Sequence, residues 1–189
     1  FKGCPLRCKW CHNPEGQSMT RELVVYDSRC VRCGSCLKVC PQNAIRFIDL
    51  DSGVRIQEDL LVLGRKDTAV VTDREKCTVC GECVFSCPSG AREIAGKEVS
   101  SDYVLEEVIK DRIFYEQSGG GVTFSGGEPL MQPAFLKELC VMSKHEGISV
   151  AVDTSGYAPW NQIESIIPFV DTFLYDIKTM DPQKHLEYT

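Results

Sequence analysis

Cys4-Pro5-Leu6-Arg7-Cys8-Lys9-Trp10-Cys11 is the stretch on which the reading of this 189-residue chain turns. Its three cysteines stand at a C-x3-C-x2-C spacing, with an aromatic residue just before the third. Iron–sulfur clusters are held by cysteine thiolates, and a cubane cluster has four irons to ligate. Three closely spaced thiolates leave one iron without a local protein ligand. A distant cysteine or a substrate can take that position, and the rest of the chain must decide between them.

The chain carries 12 cysteines, at positions 4, 8, 11, 30, 33, 36, 40, 77, 80, 83, 87 and 140. All but the last fall into tight groups within ordinary core-forming sequence, which favours metal binding in a reducing cytoplasm over disulfides. The second group reads Cys30-x2-Cys33-x2-Cys36-x3-Cys40-Pro41, and the third Cys77-x2-Cys80-x2-Cys83-x3-Cys87-Pro88. Both follow the bacterial ferredoxin run, proline included, in which the fourth cysteine of each run ligates the other cluster. Cys30, Cys33, Cys36 and Cys87 are therefore assigned to one cluster, and Cys77, Cys80, Cys83 and Cys40 to a second. Between the runs, 45–50 and 69–72 read as strands, with Asp51-Ser52-Gly53 as a turn. A short apolar segment at 23–26 reads as a strand leading out of the first cysteine loop.

The composition is that of a globular protein. A formal net charge of −6 argues against a nucleic-acid partner, which asks for a basic patch. No apolar run is long enough to span a membrane, and no signal-peptide pattern opens the chain, so no membrane partner is expected. With no methionine at the start and a stop soon after a strand, the chain reads as a fragment.

From residue 98 the texture changes. Ser101 and Asp102 can cap a helix whose apolar positions are Val104, Leu105, Val108 and Ile109, and Gly119-Gly120-Gly121 stops it. A strand at 122–125 runs into Gly126-Gly127-Glu128-Pro129. Pro133 opens a helix with Phe135, Leu136, Leu139, Cys140 and Met142 on its apolar face, ending at Gly147. A strand at 148–152 then ends in Asp153-Thr154-Ser155-Gly156, a helix covers 160–167, and a strand at 172–175 ends in Asp176-Ile177-Lys178. Strands alternating with helices imply parallel β–α units, which place their active sites past the carboxyl ends of the strands.

Cys4-x3-Cys8-x2-Cys11 with Gly126-Gly127-Glu128 on a β–α scaffold resembles the radical S-adenosylmethionine enzymes. Phe1-Lys2-Gly3-Cys4-Pro5, Trp10-Cys11-His12-Asn13 and the double ferredoxin run narrow the resemblance to activating enzymes of glycyl radical enzymes, related to pyruvate formate-lyase activase. The resemblance implies an α/β fold: a partial (β/α)6 barrel interrupted by a ferredoxin-like α+β insertion. Its parts would be a cluster loop over 1–29, the insertion over 30–97, and the partial barrel over 98–189. The first strand would precede Phe1, and the last strands, with a ligand-holding histidine, would follow Thr189.

The resemblance further implies three 4Fe-4S clusters. Cys4, Cys8 and Cys11 would hold three irons of the first, with the amino and carboxylate groups of S-adenosylmethionine on the fourth. Reductive cleavage of the sulfonium would give methionine and a 5′-deoxyadenosyl radical, which would take hydrogen from a glycine of a partner glycyl radical enzyme. The ferredoxin-type pair would be the electron entry, fed by a flavodoxin- or ferredoxin-type donor. Trp10, Cys11 and His12 would lie against the adenine or the cluster, and Gly126 and Gly127 would let backbone approach the ligand. Glu128 or a strand-end carbonyl would accept from its ammonium group. Asp176, Ile177 and Lys178 form the family's D-x-K motif, with Asp176 and Lys178 on one side of an extended segment. Asp suits ribose hydroxyls or a cation, and Lys178 a carboxylate. Asp153, Thr154 and Asp176 resemble the family's monovalent-cation site.

Other residues have plainer readings. Cys140 reads as a buried core thiol, His145 and His185 as surface groups, and Glu106 and Glu107 as a solvated helix face. Two further functions compete with the activase. One is a radical enzyme with auxiliary clusters acting on a peptide or small molecule, which would normally carry them after the barrel. The other is an electron carrier whose third cluster Cys140 would have to complete.

Overall fold

The computed structural model describes residues 1–53, 55–56 and 67–189, with Arg55 as backbone only. The connection 57–66 of the expected insertion lies outside the described residues. Two compact units emerge: Arg21–Ala95, and Phe1–Thr20 together with Gly96–Thr189. Among the described residues no helix is long and apolar enough to cross a membrane.

The unit Arg21–Ala95 holds strands β1 (Glu22–Val25), β2 (Ile45–Asp49), β3 (Arg55–Ile56), β4 (Thr68–Thr72) and β5 (Arg92–Ala95), and helices α1 (Ser35–Val39) and α2 (Glu82–Phe85). It starts at Arg21 rather than Cys30 because β1 pairs antiparallel with β5, Leu23 lying opposite Ile94. In the second sheet β2 runs antiparallel between β3 and β4. Alternation along β2 turns Ile45 and Phe47 inward, where they pack with Leu23, Leu37 and Val70. The buried thiols of Cys36 and Cys83 belong to this same core. The Asp51-Ser52-Gly53 turn forms as read: Asp49 Oδ1 accepts from the Ser52 amide at 2.8 Å, and Gly53 takes φ +68°.

The two cysteine runs bend the chain at matching places. Arg32 and Val79 stand at φ +55° and +54°, Gly34 and Gly81 at +74° and +90°, and Asn43 and Gly90 at +47° and +60°. A β-branched residue at positive φ is a genuine outlier and persists only where its surroundings over-determine it. Val79 sharing its conformation with Arg32 in the other run marks a path imposed on the backbone twice. Gly34 and Gly81 then open α1 and α2, and both helices stop before Pro41 and Pro88.

The other unit carries α3 (Ser101–Lys110), α4 (Arg112–Ser118), β6 (Gly121–Phe124), α5 (Pro133–His145), β7 (Ser149–Thr154), α6 (Trp160–Glu164), β8 (Thr172–Tyr175) and α7 (Pro182–Tyr188). The sequence suggests one helix before Gly119; the structure breaks it at Asp111. The N-cap is Ser100, whose hydroxyl accepts from the Tyr103 amide at 3.2 Å, because Ser101 is turned inward to donate to Glu138. Strands β6, β7 and β8 are parallel and adjacent in chain order, so their carboxyl ends lie together. One face of the sheet buries Phe124, Val150 and Val152 against Leu136, Leu139 and Cys140 of α5. Each large aliphatic side chain of that core contributes about 1.5–3 kcal/mol by leaving water.

Candidate active site and cluster cavities

The strand β7 runs further than its apolar residues suggest, carrying Asp153 and Thr154 into register with Leu174 and Tyr175 of β8. The Asp176 amide adds a bond to the Thr154 carbonyl at 2.9 Å. Past these strand ends opens a cavity of about 220 Å³. Cys4, Cys8 and Cys11 line it together with Trp10, His12, Gly126, Gly127, Asp153, Thr154, Asp176 and Lys178. Ile177 is absent from its wall and 62 % exposed, as alternation along an extended segment requires. Ser125 and Ser155 were not singled out from the sequence and line it too; Ser125 Oγ donates to Asp153 Oδ2 at 2.8 Å.

Main-chain hydrogen bonds fasten the cysteine loop to the sheet. The Gly127 amide donates to Phe1 O at 2.9 Å, the Glu128 amide to Gly3 O at 2.7 Å, and the Gly3 amide to Gly16 O at 2.8 Å. Phe1 packs its ring edge-on against Phe124 and Phe135, at 6.2 and 5.8 Å. On the other side, Arg7 and Lys9 donate their amides to Thr189 O and Tyr188 O, and Trp10 stacks obliquely on Tyr188 at 6.1 Å. The helix α7 that delivers Tyr188 has a legible start in Asp181-Pro182: Asp181 Oδ1 caps the Gln183 and Lys184 amides.

The glycine pair, besides lining the cavity, makes room for the chain itself. A Cβ on Gly126 would meet Phe1 O at 2.2 Å, and one on Gly127 would meet Gly3 O at 2.3 Å and Gly16 O at 2.4 Å. Both glycines admit another stretch of this chain. Gly127→Ala is expected to cost about 3 kcal/mol, since backbone carbonyls cannot swing aside as a side chain does. A thermal melt that leaves the midpoint unchanged would contradict this packing.

Glu128 also differs from its expected place. It is 1 % exposed and absent from the cavity wall. Oε1 accepts from Thr154 Oγ1 at 2.7 Å and the Leu130 amide at 3.1 Å; Oε2 accepts from the Ser155 amide at 2.9 Å and Ser155 Oγ at 2.7 Å. The carboxylate is spent on tying the β6 end to the β7 end.

Electrostatics favour charge at the mouth of the D-x-K motif. Lys178 pairs with Asp176 through Nζ and Oδ2. Partial burial works against the ammonium, but Asp176 and the nearby thiols of Cys8 and Cys4 hold its pKa above the ordinary lysine value. Burial pushes the Cys4 thiol up, and neighbouring Glu128, Cys8 and Cys11 push it further, against one hydrogen bond from the Leu6 backbone. The Cys4 thiol thus ionises readily only against a cation. Cys140 stands apart, fully buried in the α5 core, with its pKa pushed up to about 12 by burial. His145 lies exposed in the last turn of α5, and Glu106 and Glu107 face solvent. His185 shares its Nδ1 with Thr189 Oγ1 at 3.0 Å.

In the unit Arg21–Ala95 two smaller cavities gather the remaining cysteines. One is lined by Cys30, Cys33, Cys36 and Cys87, the other by Cys77, Cys80, Cys83 and Cys40. Backbone donors match across them: the Ala91 amide reaches Cys87 Sγ, and the Ala44 amide reaches Cys40 Sγ, each at 3.3 Å. Among the described residues no three His, Cys, Asp or Glu side chains converge as a single ion requires. Thiols spread around a cavity suit a polynuclear cluster, in which each iron takes its own thiolate. The donor sets fit such clusters.

Comparison with known proteins agrees with the chemistry of these residues. The radical SAM superfamily model matches residues 74–189, and a 4Fe-4S dicluster domain model matches residues 29–91. The chain is 45% identical to the trans-4-hydroxy-L-proline dehydratase activating enzyme of Clostridioides difficile, over 100% of this chain and 57% of that protein. It is 45% identical to the benzylsuccinate synthase activating enzyme of Thauera aromatica, over 99% of this chain and 53% of that one. With the choline trimethylamine-lyase activating enzyme of Oleidesulfovibrio alaskensis it shares 43% identity, over 100% and 56%. The chain thus spans about half the length of the curated relatives it matches. With most of its length under one family model, and the thiol-lined strand ends that such chemistry needs, the chain belongs to the radical SAM superfamily.

Proposed function

We propose that this chain is the catalytic part of an activating enzyme for a glycyl radical enzyme. The observation that carries the reading is a single cavity in which three thiols, unaccompanied by a fourth, face the carboxyl ends of three parallel strands. Cys4, Cys8 and Cys11 hold three irons of a 4Fe-4S cluster, leaving one for the amino and carboxylate groups of S-adenosylmethionine. When bound, this pair supplies the chemistry: one electron splits the sulfonium into methionine and a 5′-deoxyadenosyl radical, which takes a hydrogen atom from a partner's glycine.

The chain's own residues bind and orient. Lys178, held cationic beside Asp176, meets the ligand's carboxylate, and Asp176 its ribose hydroxyls. Trp10 and His12 border the adenine end, and the backbone at Gly126 and Gly127 forms part of the wall. The carboxylates of Asp153 and Asp176, with Thr154, supply the oxygens for a monovalent cation at the methionine end. Glu128 acts by holding Thr154 and Ser155 in place.

The fold in this reading is a partial (β/α)6 barrel interrupted by a ferredoxin-like insertion. Its eight cysteines hold two further 4Fe-4S clusters, for three in all. These are electron entries from a flavodoxin- or ferredoxin-type donor, and the free thiols suit a cytoplasmic setting. An electron carrier with every cluster closed by protein needs Cys140, which is fully buried and absent from the cavity.

The test is anaerobic. The chain reconstituted with iron and sulfide is mixed with S-adenosylmethionine, a reductant and candidate partners, beginning with the three enzymes that its relatives' names give. The expected results are 5′-deoxyadenosine and a glycyl radical doublet in the electron paramagnetic resonance spectrum. A cluster spectrum that ignores added S-adenosylmethionine would sink the reading.

A further inference from the structure

Arg92 on β5 is 4 % exposed, and its guanidinium lies among cysteines. Nη1 donates to Thr72 Oγ1 at 3.0 Å and approaches Cys83 Sγ at 3.9 Å. Nη2 is buried and has no hydrogen-bond partner among the described residues. The side chain also lines the cavity of Cys30, Cys33, Cys36 and Cys87. One buried cation therefore touches a thiol of one cysteine set while bordering the cavity of the other. Burying a guanidinium without a carboxylate is costly, and an unsatisfied N–H adds to the cost. Among the described residues no Asp or Glu is paired with it, so the anions that justify its place are the thiolates themselves. Burial pushes the Cys36 and Cys83 thiols up, and the Arg92 charge works against that rise at both.

We propose that Arg92 is a positioning residue shared by the two ferredoxin-type clusters, one guanidinium donating N–H···S bonds to both and raising both reduction potentials together. The proposal rests on the reading that the eight cysteines hold two clusters. Reduction adds an electron to an anionic cluster, so a fixed positive charge and sulfur-directed hydrogen bonds favour the reduced form. The orphaned Nη2 is the donor that a loaded cluster satisfies. A charge shared in this way shifts both potentials in the same direction, so easing reduction of one cluster is not gained at the expense of the other.

The experiment uses the full chain with Cys4, Cys8 and Cys11 replaced by alanine, so that only the pair is loaded. It should take up about eight irons. Failure to do so sinks the cluster-pair reading and the proposal with it. Potentials are then measured by redox titration followed by electron paramagnetic resonance. Arg92→Met and Arg92→Gln remove the charge, and Arg92→Lys keeps it. Either neutral variant should lower the equilibrium constant for reducing both clusters about tenfold, about 59 mV for a one-electron couple. Lys should recover most of that shift. Unchanged potentials in a fully loaded neutral variant, a shift at one cluster alone, or equal shifts in Lys and Met overturn the proposal while leaving the cluster pair standing.

Discussion

If Cys4, Cys8 and Cys11 hold the proposed cluster, Cys11→Ala is expected to abolish S-adenosylmethionine cleavage and to lower the iron content by about four, while the eight ferredoxin-type cysteines keep theirs. The size of the effect follows from the layout. Cys4, Cys8 and Cys11 sit on one loop in one cavity, and Cys140, a potential replacement, is sealed in the α5 core as a protonated thiol. Among the described residues no fourth cysteine lines the cavity to take the place of a lost thiolate. The cysteine sets of the unit Arg21–Ala95 are complete in themselves, four thiols to each cavity. Iron analysis and product assay on the same preparation check both halves. Residual 5′-deoxyadenosine at a tenth of the unsubstituted rate would mean that these three thiols are not the site.

Glu128→Ala is expected to destabilise the unit holding β6–β8 by about 3–5 kcal/mol, because it strips the partner from two amides and two hydroxyls at once, the Leu130 amide and the Thr154 hydroxyl among them buried. Such values come only from a few mechanisms, and orphaning a buried polar network is one of them. Glu128→Gln tells the same story from the other side. Its amide nitrogen would face donors at Oε1 or Oε2, so about half the loss should remain. The cavity would suffer alongside stability, since Thr154 and Ser155 are held by this carboxylate. Denaturant unfolding measures it; a loss under about 0.5 kcal/mol would place the carboxylate in solvent or on a ligand.

How much of this was readable from residues alone depended on how local the cause was. Cysteine spacing is set by cluster chemistry within a few residues, so both four-cysteine sets were legible, and the cavities gather them in the crossed arrangement. The β–α alternation was legible for the same reason: β6, β7 and β8 are short apolar runs between helices with clear starts. Strand β5 was not. Arg92-Glu93-Ile94-Ala95 has little apolar alternation, and it is a strand because Leu23 and Ile94 can pair across a distance of many residues. Glu128 shows the other limit. Its position beside Gly126-Gly127 is read easily, but whether a carboxylate points at a ligand or into the protein depends on Ser155 and Thr154, which the sequence does not bring near. The glycine pair was legible as a place of close approach, but that Phe1, Gly3 and Gly16 are the chain segments packed against it was not, since they lie more than 100 residues away.

The latch between the cysteine loop and the sheet consists of amides and carbonyls, groups that every non-proline residue carries. Side chains of that loop that do not line the cavity can therefore be varied without loosening the latch. The fixed points are few: Gly126 with its φ of +136°, Gly127 with no room for a methyl group, and Gly3 at φ +97°. Gly16, whose added Cβ would find its nearest neighbour at 3.5 Å, is available for redesign even though it supplies one of the carbonyls. A library built on this chain should freeze three glycines, keep the cavity-lining Leu6 and Trp10, and let the exposed Arg7 and Lys9 between the cysteines drift.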